Sequence, residues 1–203
     1  FMTLYDRVEP ADYVGSIERS LMQRSGSQRF PRDSEVISNL KDKDMYNTKS
    51  RTRTYFFDRI ENHNNKEFVD VGASNITVEH IFPQNPDAVW TKFLPAADYK
   101  ELAEKYLNTV GNLTLSGNNG KLGNKGFEEK REMNSDGGEQ GYRFSRLWLN
   151  RDLKDCTGWG IPQVIARAET IAARFLEVWP APAVDIQPDT SADEVNIFDA
   201  EEP

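Results

Sequence analysis

Ile76-Thr-Val-Glu-His-Ile-Phe-Pro-Gln84 decides the fold when it is read together with Val110-Gly-Asn-Leu-Thr-Leu-Ser116. Each is a short β-branched and apolar run bounded by turn residues, which predicts two strands. The first carries an adjacent carboxylate and imidazole, Glu79-His80, and meets Pro83, which cannot donate to a sheet ladder. The second presents Asn112 and then breaks into Ser116-Gly-Asn-Asn-Gly120. A polar piece from Lys121 to Met133 predicts a helix after it. Most of the remaining chain reads as helix, so the class is α+β, a mostly helical domain built around one hairpin and the helix that follows it.

A strand with Glu-His, a strand with Asn and an Asn-rich helix start resemble, in that order, a ββα-metal (HNH) nuclease site. Thr77-Val-Glu-His-Ile-Phe-Pro-Gln84, Asn108-Thr-Val-Gly-Asn-Leu-Thr-Leu115 and Leu122-Gly-Asn-Lys-Gly-Phe-Glu-Glu-Lys130 are similar to the HNH-type domain that ends GmrSD-like, modification-dependent (type IV) restriction enzymes. Tyr55-Phe-Phe-Asp-Arg-Ile-Glu61 and the stretch from Trp159 to Trp179-Pro180 fit the same pattern, so the resemblance spans residues 30 to 180.

The resemblance implies a metal-dependent DNA endonuclease module, the cleavage part of a restriction or anti-phage defence protein acting on modified or foreign DNA. It also implies Mg²⁺ or Mn²⁺ as cofactor, DNA as partner, and a nucleotide-hydrolysing companion domain or subunit; these residues contain no Walker-type glycine-rich loop. His80 takes the role of general base and Glu79, in place of the Asp of many related sites, that of metal ligand. Asn112 braces the loop and orients the His80 ring. The third motif position, a second metal ligand, falls on Asn119 by its distance from the second strand, with Asn118 and Asn124 as rivals. Lys125 is a candidate for transition-state stabilisation, and Lys121, Lys130 and Arg131 for phosphate contacts. The alternative is a catalytically silent HNH-fold module that binds DNA or assembles with a partner.

The chemistry needs these residue types. A phosphodiester is hydrolysed by an activated water, with charge stabilised on the phosphorus oxygens and on the leaving oxygen. A hard cation on oxygen ligands serves the last two and an imidazole the first. Adjacent residues point to opposite sides of a strand, so Glu79 and His80 reach one site only if the strand bends or ends there.

Composition bounds the rest. A chain of 203 residues with 37% hydrophobic and 29% charged residues can bury a real core. No apolar run is long enough for a membrane span and no signal peptide opens the chain, so a cytoplasmic protein is expected. It starts at Phe1, which reads as a fragment of something longer. The single cysteine, Cys156, excludes an internal disulfide and a cysteine-built zinc site. The net charge of −8 opposes DNA binding at first, but residues 183–203 hold seven acids and no Lys or Arg, leaving −1 on the other 182 residues.

Three segments are expected: a helical N-terminal segment at 1–48, the nuclease domain at 49–180, and a flexible acidic tail at 181–203. Within the first, Tyr13, Val14, Ile17 and Leu21 lie at helical spacing and are expected in a core, and a second helix covers residues 33–40. A helix over 52–62 is expected to turn Tyr55, Phe56, Arg59 and Ile60 inward, with Arg51, Arg53 and Arg59 as possible phosphate contacts. His63 reads as a bystander. Residues 85–109 are expected to pack as a helical cap over the hairpin. The loop from Asn134 to Gly141 is expected to be disordered. Pro162 introduces a helix whose apolar stripe runs from Val164 to Trp179, and Pro180 stops it.

Overall fold

Both strands form, and both are shorter than the runs that announce them. β1 (Thr77–His80) pairs antiparallel with β2 (Leu113–Ser116), setting Thr77 opposite Ser116, Glu79 opposite Thr114 and His80 opposite Leu113. The structure, a computed structural model, describes residues 8–134 and 140–183. It has two compact units, residues 1–33 with 180–203 and residues 34–179. All the candidate site residues lie in the second.

An isolated two-stranded hairpin is marginal in water. Here side chains support it. Asn150 Nδ2 donates to the Leu115 carbonyl at 3.0 Å, Arg167 to the Leu113 carbonyl at 3.2 Å, and the Thr114 hydroxyl to Asn150 Oδ1 at 2.6 Å. β2 is buried along its whole length, so backbone groups left unpaired there would be costly.

In the first unit, α1 (Tyr13–Met22) corrects one expectation. Tyr13 is 61% and Val14 66% exposed, whereas Ser16 and Ser20 are buried. The Ser16 hydroxyl is satisfied locally, accepting from the Glu9 N–H and donating to the Tyr13 carbonyl, each at 3.0 Å, while the buried Ser20 hydroxyl has no partner among the described residues.

The second unit opens with α2 (Asp33–Asp42) and α3 (Ser50–Asn62). α3 buries Phe56, Phe57, Ile60 and Glu61, while Tyr55 and Arg59, expected inward, face solvent. Its face is rotated because Glu61 is spent inside: the carboxylate accepts the Trp148 and Leu149 N–H groups at 2.7 and 3.0 Å. α4 (Trp90–Phe93) and α5 (Ala96–Glu101) lead into a wide π-turn at Leu102–Tyr106. This insert packs on the end of β1, where Phe82 meets Trp90 and Tyr99 edge to face at 5.0 and 5.4 Å.

The single helix expected from Lys121 to Met133 is two: α6 (Asn119–Leu122) and α7 (Phe127–Glu132). Gly123 lies between them with φ +50°, the left-handed conformation that favours glycine and ends a helix. α8 (Ile161–Val178) buries Val164, Arg167, Ala168, Ile171 and Ala172. One apolar cluster lies under α3, β2 and α8, and another gathers Ile81, Phe82, Trp90, Phe127 and Trp159. Residues 135–139 of the Asn134–Gly141 loop and the acidic tail from 184 lie outside the described residues. No helix among the described residues is long and apolar enough to cross a membrane.

Candidate active site

His80 closes β1 and is only 8% exposed. Its ring packs on Tyr46, with centroids 4.3 Å apart, and Arg53 lies over the other ring of that pair, its Cζ 5.0 Å from the Tyr46 centroid. Arg53 also donates to the Tyr46 carbonyl, which holds it there. Imidazole Nε2 is 3.1 Å from Asn108 Oδ1, and Asn108 Nδ2 donates to Asp44 Oδ2 at 3.3 Å. Burial, above all, and the positive fields of Lys130 and Arg53 hold the His80 pKa below its ordinary value, against the opposing pull of Asn108 and Asp44. The ring is therefore neutral at pH 7, the state a general base requires.

Glu79 goes the other way. Glu79 is buried against Lys130, whereas the His80 ring packs on Tyr46. Lys130 Nζ donates to Glu79 Oε1 at 2.6 Å and to the His80 carbonyl at 2.8 Å. Burial pushes the Glu79 pKa up and that of Lys130 down, each shift opposed by the partner's charge. The buried Tyr142 hydroxyl lies beside Glu79; burial and the Glu79 charge push its pKa well above the ordinary value.

Asn112 sits in a 3₁₀ turn, Val110–Asn112, at the head of β2 and is fully buried. Its amide donates to the Phe82 and Leu107 carbonyls, both at 2.9 Å, and accepts the Phe82 N–H at 2.8 Å and the Trp159 indole N–H at 3.1 Å. With its carbonyl also accepting the Ile81 N–H at 2.9 Å, it clamps the chain just past His80. It braces that loop, but the group on the imidazole is Asn108.

The residues expected to hold a divalent metal share no hydrogen-bond partner among the described residues. Asn119 Nδ2 donates to the Val78 carbonyl at 2.8 Å and the Thr77 hydroxyl at 3.1 Å, at the far end of β1. Asn118 donates to the Gln140 carbonyl, and Asn124 is exposed in the loop after α6. Among the described residues no three of His, Cys, Asp and Glu cluster as a metal site. Glu79 is engaged by Lys130 and Asn119 by the β1 backbone, while Asn124 is exposed. A cavity of about 620 Å³ lies elsewhere, between Val89, Trp90, Phe93 and Trp159 with Glu128 and Glu129 on its wall.

The family model for the C-terminal domain of GmrSD restriction endonucleases matches residues 30–174. The chain belongs to that family. A comparison with curated proteins returned no match.

Within this GmrSD C-terminal domain the expected cations divide. Lys130, expected on phosphate, is wholly buried in its ion pair. Arg131 is engaged by Glu132 and the Cys156 carbonyl. Lys125 pairs with Glu129, one helical turn along, and that hydrogen bond raises its pKa. Lys121 is exposed on α6. Asn108 and Asp44 were missed as site residues. Asn108 stood at the head of a motif stretch, and Asp44 three residues before Asn47 reads as an Asx turn, but nothing local joins either to His80.

Proposed function

We propose that this domain cleaves the phosphodiester backbone of DNA, with His80 as general base, as the cutting part of a restriction protein directed at modified or foreign DNA. The observation that carries the reading is a buried imidazole at the end of β1, with Lys130 on its own carbonyl and Asn112 on the N–H of Phe82 two residues on. That is a histidine held in one place, as proton transfer requires. His80 takes a proton from water; the water oxygen bonds to phosphorus as the bond to the leaving sugar oxygen breaks. That oxygen takes up a proton from solvent, and the imidazolium returns one.

A requirement for Mg²⁺ or Mn²⁺ is part of the proposal through the family alone, and no step is assigned to the metal. A companion nucleotide-hydrolysing domain belongs to the same proposal. One observation favours the alternative of a silent binding or assembly module: Glu79 is committed to Lys130.

Supercoiled-plasmid cleavage by the wild type and by His80→Ala, with Mg²⁺, Mn²⁺ or chelator, tests the reading. Loss of a general base lowers the rate about 10²–10⁴-fold. Equal cutting by both proteins removes His80 from the mechanism, and cutting that survives chelation removes the metal. A wild type that binds but never cuts modified or plain DNA supports the silent module.

A further inference from the structure

The polar chain behind His80 has a direction, and the direction can be read from one end. Asp44 is the fixed point. Its Oδ1 accepts the Asn47 N–H at 2.9 Å and its Oδ2 accepts the Asn47 amide at 2.8 Å. Burial alone would raise the Asp44 pKa, but these bonds, with that from Asn108, lower it, so the group is a carboxylate at pH 7. A carboxylate only accepts hydrogen bonds. Asn108 must therefore turn its NH₂ toward Asp44, which leaves its carbonyl oxygen toward the imidazole. An oxygen in turn only accepts, so the nitrogen facing it, Nε2, must carry the hydrogen.

A neutral imidazole has one N–H. With the proton on Nε2, the lone pair is on Nδ1, which no hydrogen bond reaches among the described residues. Asn108 is well placed to enforce this. Its own carbonyl accepts the Met45 and Tyr46 N–H groups at 2.9 and 3.2 Å, so one residue ties down both the Asp44 turn and the Tyr46 ring that packs on His80.

We infer that Asp44 and Asn108 are positioning residues that fix the His80 tautomer, holding the proton on Nε2 and presenting Nδ1 as the atom that accepts a proton from the attacking water. The inference rests on the proposed nuclease function for its consequence, but the tautomer can be measured without cleavage. The chain has two histidines, His63 and His80, so a His63→Gln background leaves a single imidazole to observe.

Long-range ¹H–¹⁵N spectra of the ¹⁵N-labelled protein, at a pH where His80 is neutral, are expected to show a pyrrole-type Nε2 and a pyridine-type Nδ1. Asp44→Asn keeps the shape but can donate as well as accept. It allows the Asn108 amide to turn round, so signals of both tautomers are expected. Asn108→Leu removes the partner of Nε2 and has the same effect on the spectrum. In both variants plasmid cleavage falls about 10- to 100-fold, as for a misplaced catalytic group, while circular dichroism and the thermal midpoint confirm the fold. Asp44→Asn is the milder change and decides the matter should Asn108→Leu misfold.

A wild-type proton on Nδ1, or an unchanged tautomer in Asp44→Asn, overturns the inference. So does wild-type cleavage by a variant whose tautomer has changed. If the tautomer behaves as expected but no protein cuts DNA under any metal, the nuclease reading falls, and the assignment of the proton to Nε2 stands.

Discussion

Lys130 carries a charge that folding takes wholly out of water. A lysine on a polar segment beside a nuclease motif reads as a phosphate contact, yet this one is wholly buried and its ammonium is held by Glu79 and the His80 carbonyl. Burying two charges is expensive, and their attraction compensates only while both are present. Lys130→Met therefore leaves an unpaired carboxylate inside the protein and is expected to destabilise it by about 3–5 kcal/mol in urea denaturation. Adding Glu79→Gln removes the charge and is expected to recover part of that loss. The comparison also separates the two roles of Glu79. A metal ligand released from its lysine would bind Mg²⁺ more tightly, so a Lys130→Met protein restabilised by Mg²⁺ would restore Glu79 as a ligand. Unchanged stability in Lys130→Met would refute the buried pair.

At the scale of elements, the placement of the site depends on how closely α8 approaches the turn before β2. Gly111 lies against the α8 backbone, where a Cβ would overlap the Val164 carbonyl oxygen. Backbone cannot yield as a flexible side chain can. Gly111→Ala is expected to cost about 1–3 kcal/mol, as overpacking does, and to displace Asn112 from its bonds to Phe82 and Trp159. Thermal denaturation reads the first effect and loss of plasmid cleavage the second; an unaltered midpoint would mean that the contact is looser than it looks. The hairpin, α8 and the insert were legible because each is announced by a local pattern: β-branched runs, a 3.6-residue stripe, an amphipathic stretch. The inward face of α3 was not. Tyr55, Phe56 and Phe57 are adjacent aromatics, and only the bonds from Glu61 to Trp148 and Leu149, 87 and 88 residues away, choose among them. His80 and Asn112 were legible from their motifs. Their partners were less so, because Asn108 lies 28 residues from His80, Asp44 lies 64 from Asn108, and Lys130 lies 51 from Glu79.

At the scale of the whole molecule, the question is where the functional body begins. The expected boundary at residue 48 assigns α2 and the turn after it to an N-terminal segment, whereas the larger compact unit starts at Ser34. The difference touches both stability and chemistry. Leu40 and Met45 are buried in the same apolar cluster as α3, β2 and α8. Asp44 and Tyr46, four positions or fewer before the expected boundary, are the groups that hold the His80 ring through Asn108 and by direct packing. Truncating one buried Leu or Met costs about 2–5 kcal/mol, and a domain of this size has about 5–15 kcal/mol in total. Losing both side chains and the helix that carries one of them consumes much of that margin. A chain beginning at residue 49 is therefore expected to melt at a clearly lower temperature than one beginning at residue 34, and to lose cleavage even where it remains folded. Calorimetry of the two proteins, with plasmid cleavage beside it, makes the comparison. Equal midpoints would show that residues 34–48 are dispensable to the core. Equal cleavage would show that His80 needs neither Asp44 nor Tyr46 to do its work.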